Sequence, residues 1–189
     1  MIQYLLNHAL EIAGFLIGLL YLWWEYHADR RMWFASVIMP AISMWIYFSR
    51  GLYADFAINI YYLVIAIYGY LAWSGIIRRR RDSGSSAGKA TLPVSHMPAA
   101  QWAVCSLALA ALWAAIFFFL ERLTDSNVPV YDAFTTALSI VAMWMLARKY
   151  IEQWYAWILV DAVCVGLYIY KGIYYYAALY AIYTVIAFF

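Results

Sequence analysis

The segment Trp33-Phe-Ala-Ser-Val-Ile-Met-Pro40-Ala-Ile-Ser-Met-Trp-Ile-Tyr47-Phe-Ser-Arg50-Gly51 aligns without a gap on Trp154-Tyr-Ala-Trp157-Ile-Leu-Val-Asp161-Ala-Val-Cys164-Val-Gly-Leu-Tyr168-Ile-Tyr-Lys171-Gly172. Trp33 falls on Trp154, Tyr47 on Tyr168, Arg50 on Lys171 and Gly51 on Gly172, at a constant offset of 121 residues. The offset continues outward. Tyr53 meets Tyr174, Tyr62 meets Tyr183, and upstream Trp23 meets Trp144. Each copy reads as three apolar helices. A duplicated apolar bundle is the usual build of secondary transporters, with the substrate site between the halves near the bilayer midplane.

Composition agrees with a membrane bundle. The 189 residues are 68% hydrophobic and 12% charged, against about 25% charged in soluble domains. Long apolar runs with short polar breaks describe a polytopic α-helical membrane protein. The strict two-residue alternation of a transmembrane β-barrel is missing. No charged n-region with a small-residue cleavage site is seen, so residues 9–26 read as membrane structure and not as a signal peptide. Cys105 and Cys164 lie inside apolar segments and read as buried free thiols. His8, His27 and His96 fall at span ends or in loops without ligand spacing, so no metal site is expected.

Seven spans fit the pattern, at residues 8–26, 33–49, 53–76, 100–120, 131–148, 152–170 and 174–189. The stretch from Arg78 to Pro98 opens with four arginines, continues Asp-Ser-Gly-Ser-Ser-Ala-Gly and ends around two prolines, which describes a solvated linker. Cytoplasmic loops collect Lys and Arg. Arg30, Arg31, Arg78 to Arg81, Lys89, Arg148 and Lys149 then lie inside, and Arg50, Arg122 and Lys171 outside. The N-terminus is expected outside and the C-terminus in the cytoplasm. Three helices are an odd number, so one extra crossing is needed to give the second copy the same orientation. The expected fold is all-α, with seven transmembrane helices in a 3+1+3 parallel repeat: residues 1–77, a linker and connecting helix over 78–130, and residues 131–189.

Polar and aromatic residues mark candidate contacts. On the sixth span Trp154, Trp157, Asp161 and Tyr168 share one helical face. A carboxylate near midplane costs about 2.5 kcal/mol or more on insertion scales and normally faces a partner or a water-filled path. Aromatic rings beside a carboxylate suit a flat cation, through stacking, cation–π attraction and a charge-assisted hydrogen bond. The bland alternative is an Asp bonded to a neighbouring helix, with the two tryptophans in the interfacial belt. The third span carries Asp55, Asn59 and Tyr62, and the offset pairs these with Tyr176, Tyr180 and Tyr183. Asn59 serves either as interhelical glue or as a substrate partner. On the second span Trp33, Ser36, Pro40, Ser43 and Tyr47 form the matching stripe, and Pro40 stands where the second copy has Asp161. Proline removes an intrahelical bond and can kink the helix there. Glu11, Glu25, Glu121 and Glu152 lie near span ends and are expected in solvent. The candidate substrate residues are therefore Trp33, Asn59, Tyr62, Trp154, Trp157, Asp161, Tyr180 and Tyr183.

The chain lacks a phosphate-binding Gly-rich loop with Lys-Ser/Thr, a nucleophile elbow, HExxH and a paired Cys motif. This excludes ATP hydrolysis by the chain itself and leaves no enzyme motif. A lipid-modifying membrane enzyme would need His, Asp and Glu clustered at one membrane face, and the acids are scattered. With Asp161 the one midplane charge, a facilitator is favoured over an ion-coupled pump.

Gly51-Leu-Tyr-Ala-Asp55, Asn59-Ile-Tyr-Tyr62, Tyr68-Gly69 with Trp73, Ala147-Arg-Lys-Tyr-Ile-Glu-Gln-Trp-Tyr-Ala-Trp157 with Asp161, and Leu167-Tyr-Ile-Tyr-Lys-Gly-Ile-Tyr174 together resemble the PnuC family of bacterial vitamin transporters. The resemblance implies a fold similar to full-length SWEET sugar transporters and residence in the bacterial inner membrane. It implies facilitated diffusion of a vitamin, trapped by a cytoplasmic kinase, and a homotrimer. It implies no cofactor and no nucleic-acid partner. Family substrates are nicotinamide riboside, thiamine and riboflavin. Span three keeps only Tyr70-Leu-Ala-Trp73 of the family's tryptophan-rich stretch, and Asn59 stands where glutamine is common. Thiamine, cationic and aromatic, is the expected substrate, because nicotinamide riboside calls for more hydroxyl and amide partners than the stripes offer. Nicotinamide riboside is the alternative.

Overall fold

The computed structural model describes residues 19–49, 53–76, 92–124, 128–170, 172 and 174–187. The start of the first span, Arg50, Gly51, linker residues 78–91 and Lys171 lie outside the described residues, as do the side chains of Ser43, Tyr47, Asp55 and Tyr176. Helices run over residues 19–26 (α1), Met32–Ser49 (α2), Tyr53–Trp73 (α3), Ala99–Leu123 (α4), Pro129–Ala147 (α5), Gln153–Tyr170 (α6) and Tyr174–Ala187 (α7). By length and composition α4, α5 and α6 can each cross a membrane.

The chain divides into two compact units, Met1–Leu92 and Pro93–Phe189. In the first, α2 packs along α3. The contact is close because α3 presents Gly69 to the indole of Trp33, which is fully buried, and Trp33 meets Trp73 edge-on at 5.4 Å. The Tyr21 hydroxyl bonds Ser36 and ties α1 to α2.

In the second unit α4 packs on α5, α5 on α6, and α6 on α7. Among the described residues α5 carries the most buried positions of the four helices, packed between α4 and α6. Ala133 and Ala137 are both fully buried one turn apart; small side chains there let backbones approach without lipid between them. Pro129 opens α5, where its missing N–H is not needed. Val104 and Leu107 of α4 remain exposed, as a lipid-facing surface requires.

The helix ends repeat. α1 closes with Ala28 N–H bonded to Glu25 O and Asp29 N–H to Trp24 O, while α5 closes with Lys149 N–H to Leu146 O and Tyr150 N–H to Met145 O. Both are the bond pattern of a left-handed helix cap. The capping residues are not glycine: Ala28 has φ +48° and Lys149 φ +56°. The following helices start alike, with Met32 N–H on Asp29 O and Gln153 N–H on Tyr150 O. Every one of these pairs is separated by the 121-residue offset of the sequence repeat.

Among the described residues, one feature of the second unit has no counterpart in the first. The segment before α4 lies against the α5–α6 turn. Ser95 N–H bonds Lys149 O, and Ile151 N–H bonds Ser95 O, both over 3.1 Å. Beside them the Glu152 carboxylate accepts the Met97 N–H and the His96 Nδ1–H, each over 3.0 Å. Burial raises the Glu152 carboxyl, but backbone N–H groups and His96 outweigh it and hold the pKa below the usual carboxylate range. Glu152 and Glu25, expected in solvent, are both buried. For Glu152 the reason is this clasp. Position 31, its counterpart in the first unit, is Arg31, exposed and paired with Asp29.

Candidate functional site

α6 and α7 assemble an acid among aromatic hydroxyls. Asp161 sits midway along α6 with 7% of its surface exposed. Cys164 and Tyr168 follow at the spacing that keeps them on its face. From α7, Tyr180 stacks on Tyr168 at 5.3 Å and 22°, and meets Tyr183 edge-on at 6.0 Å. The Tyr168 and Tyr180 hydroxyls are hydrogen-bonded, and the Asp161 carboxylate lies within electrostatic reach of Tyr180 and Tyr183. Three phenols and a carboxylate on one seam combine ring faces, hydroxyl donors and acceptors, and a single negative charge. That set suits a cationic aromatic molecule that also carries hydroxyls.

Trp157 stands one turn before Asp161, half-buried, its indole Nε1–H donating to Gln153 Oε1 over 2.9 Å. Trp154 is half-buried at the start of the same helix. Five of the residues expected from sequence therefore fall in one unit: Trp154, Trp157 and Asp161 on α6, with Tyr180 and Tyr183 on α7. Trp33, Asn59 and Tyr62 belong to the first unit. Asn59 and Tyr62 are half-buried on α3, where Tyr62 lies 5.7 Å from the Tyr61 ring. Trp33 is enclosed between Gly69 and Trp73. Pro40 is buried inside α2.

Sequence reasoning passed over Gln153, whose spacing of four from Trp157 was the available signal. It also left Tyr168 out of the substrate set, although Tyr168 lay on the noted stripe. Among the described residues no group of three His, Cys, Asp or Glu could hold a metal ion.

Residues 8–189 match the family model described as nicotinamide mononucleotide transporter. The chain belongs to this family, that of the PnuC transporters. The nicotinamide riboside transporter PnuC of Escherichia coli (strain K12) is 27% identical over 202 residues, covering 94% of this chain and 81% of that protein. The riboflavin/roseoflavin transporter RibM of Streptomyces davaonensis is 32% identical over 121 residues, 64% of this chain and 54% of that protein. The crystal structure of the vitamin B3 transporter PnuC shares the fold, with a TM-score of 0.55 at 19% identity over 84% of this chain and 68% of that one. This PnuC-family chain is a membrane transporter and not an enzyme.

Proposed function

We propose that this PnuC-family chain carries nicotinamide riboside across the bacterial inner membrane by facilitated diffusion. The observation that carries the proposal is the likeness to the Escherichia coli nicotinamide riboside transporter over 94% of the chain. The sequence favours thiamine; the relatives described above are named for nicotinamide riboside and for riboflavin. The objection to a riboside was a shortage of hydroxyl partners. Tyr180, stacked on Tyr168, edge-on to Tyr183 and within electrostatic reach of Asp161, answers it. The pyridinium ring takes the aromatic faces and the acid, and the ribose takes the phenols.

The architecture proposed is seven spans in a 3+1+3 parallel repeat similar to SWEET transporters, N-terminus outside. It is supported by the matched helix caps and helix starts at the 121-residue offset. A homotrimer, and trapping of the vitamin by a cytoplasmic kinase, complete the reading. Titration calorimetry of the purified protein with nicotinamide riboside, thiamine and riboflavin tests the substrate. Nicotinamide riboside should bind most tightly, and tighter thiamine binding overturns the choice. Sodium or proton gradients across proteoliposomes should leave uptake non-concentrative; accumulation driven by either rules out simple facilitation.

A further inference from the structure

Gln153 opens α6 with only 4% of its surface exposed. An amide in such surroundings is costly unless it is bonded. Its Oε1 accepts the indole N–H of Trp157, one turn further along the same helix, over 2.9 Å. The acceptor is itself held in place. The preceding turn is bridged to Ser95 on both sides of Tyr150, and the adjacent Glu152 is clasped by His96 and Met97. The Trp157 side chain also packs against the buried cluster that includes Met145, Tyr150 and Val160. Packing and a hydrogen bond therefore both restrict the indole. In the first unit the corresponding positions are Met32 and Ser36, and there the Ser36 hydroxyl donates to the Met32 backbone oxygen. The amide–indole pair is a feature of the second unit.

We propose that Gln153 is a positioning residue, whose carbonyl holds the Trp157 indole with its face turned to the transported cation. This rests on the reading of Trp157 as a substrate contact. An indole whose only donor is committed to its own helix offers a ring face and no hydrogen bond. Gln153 then sets how tightly flat rings stack without selecting among them. Fixing the ring beforehand removes the rotamer entropy that binding otherwise loses.

The test uses the full chain in nanodiscs, with tryptophan labelled at the indole nitrogen. The Trp157 N–H resonance is identified by its loss in Trp157→Phe. Gln153→Met, similar in length but without an acceptor, should move that resonance to a non-bonded position. It should weaken nicotinamide riboside, thiamine and riboflavin by a similar factor, about threefold to tenfold for one neutral hydrogen bond. Gln153→Glu keeps an acceptor and should retain the bonded resonance. Gln153→Met should add nothing to Trp157→Phe. The proposal is overturned if Gln153→Met leaves the resonance and the affinities unchanged, if it reverses the order of the three ligands, or if it weakens binding equally with and without Trp157. If Gln153→Met moves the resonance but Trp157→Phe binds with wild-type affinity, Trp157 is refuted as a substrate contact, and the positioning role with it.

Discussion

Alanine at Gly69 puts a methyl group where the Trp33 indole already lies. A Cβ built there meets ring atoms Cη2, Cζ2 and Cε2 of Trp33, the last at 2.7 Å. Carbon atoms rest comfortably at about 3.5–4.0 Å, so the ring has to retreat by roughly 1 Å. It has nowhere to go: Trp33 is fully buried and its neighbour Trp73, 5.4 Å away and perpendicular, is 3% exposed. Overpacking a tight contact costs about 1–3 kcal/mol, and rigid rings argue for the upper end. Alanine returns about 1 kcal/mol of helix propensity. The net loss is about 2 kcal/mol, or a melting point lower by about 4–8 °C on the scale of globular chains this long. Thermal unfolding in detergent, followed by fluorescence-detected size exclusion, measures it. Trp33→Phe removes part of the obstructing ring, so the double variant should be more stable than the two single effects added. A Gly69→Ala protein that melts at or above the wild type refutes the close packing. Reduced substrate binding at unchanged melting temperature would instead make Trp33 a contact for the vitamin.

Asp161→Asn should weaken nicotinamide riboside by about 1.5–3 kcal/mol, the range of a charged hydrogen bond, while the protein stays monodisperse. Unchanged affinity in calorimetry would leave Asp161 a structural residue. Ala28→Gly should raise stability by about 1 kcal/mol, because the left-handed cap at φ +48° strains any residue with a Cβ; no gain in melting temperature argues against that backbone. The Glu152 clasp should weaken in acid. Its carboxyl titrates below the ordinary 4.5 in the folded protein, so its stabilisation is fully present above that value and lost as pH falls through the folded one. Glu152→Gln should show a shallower loss of melting temperature below pH 4.5 than the wild type. Equal slopes would mean the clasp contributes nothing.

The sequence by itself determined the helical membrane class, the 121-residue register shared by two segments and the α6 stripe. Apolar length is a direct consequence of bilayer thickness, and a duplication leaves a constant offset whatever the fold. The same 121-residue register reappears in the two helix caps, because local backbone bonds depend on local sequence. Periodicity names the face of a helix but not what that face meets. Tertiary structure therefore decided that Trp33 packs against Gly69, that Glu152 is clasped and not solvated, and that Tyr180 joins Tyr168 to Tyr183 within electrostatic reach of Asp161. It also placed α4 with the second unit. Those outcomes depend on contacts between residues far apart in the chain, such as Met97 with Glu152, and no spacing rule encodes them.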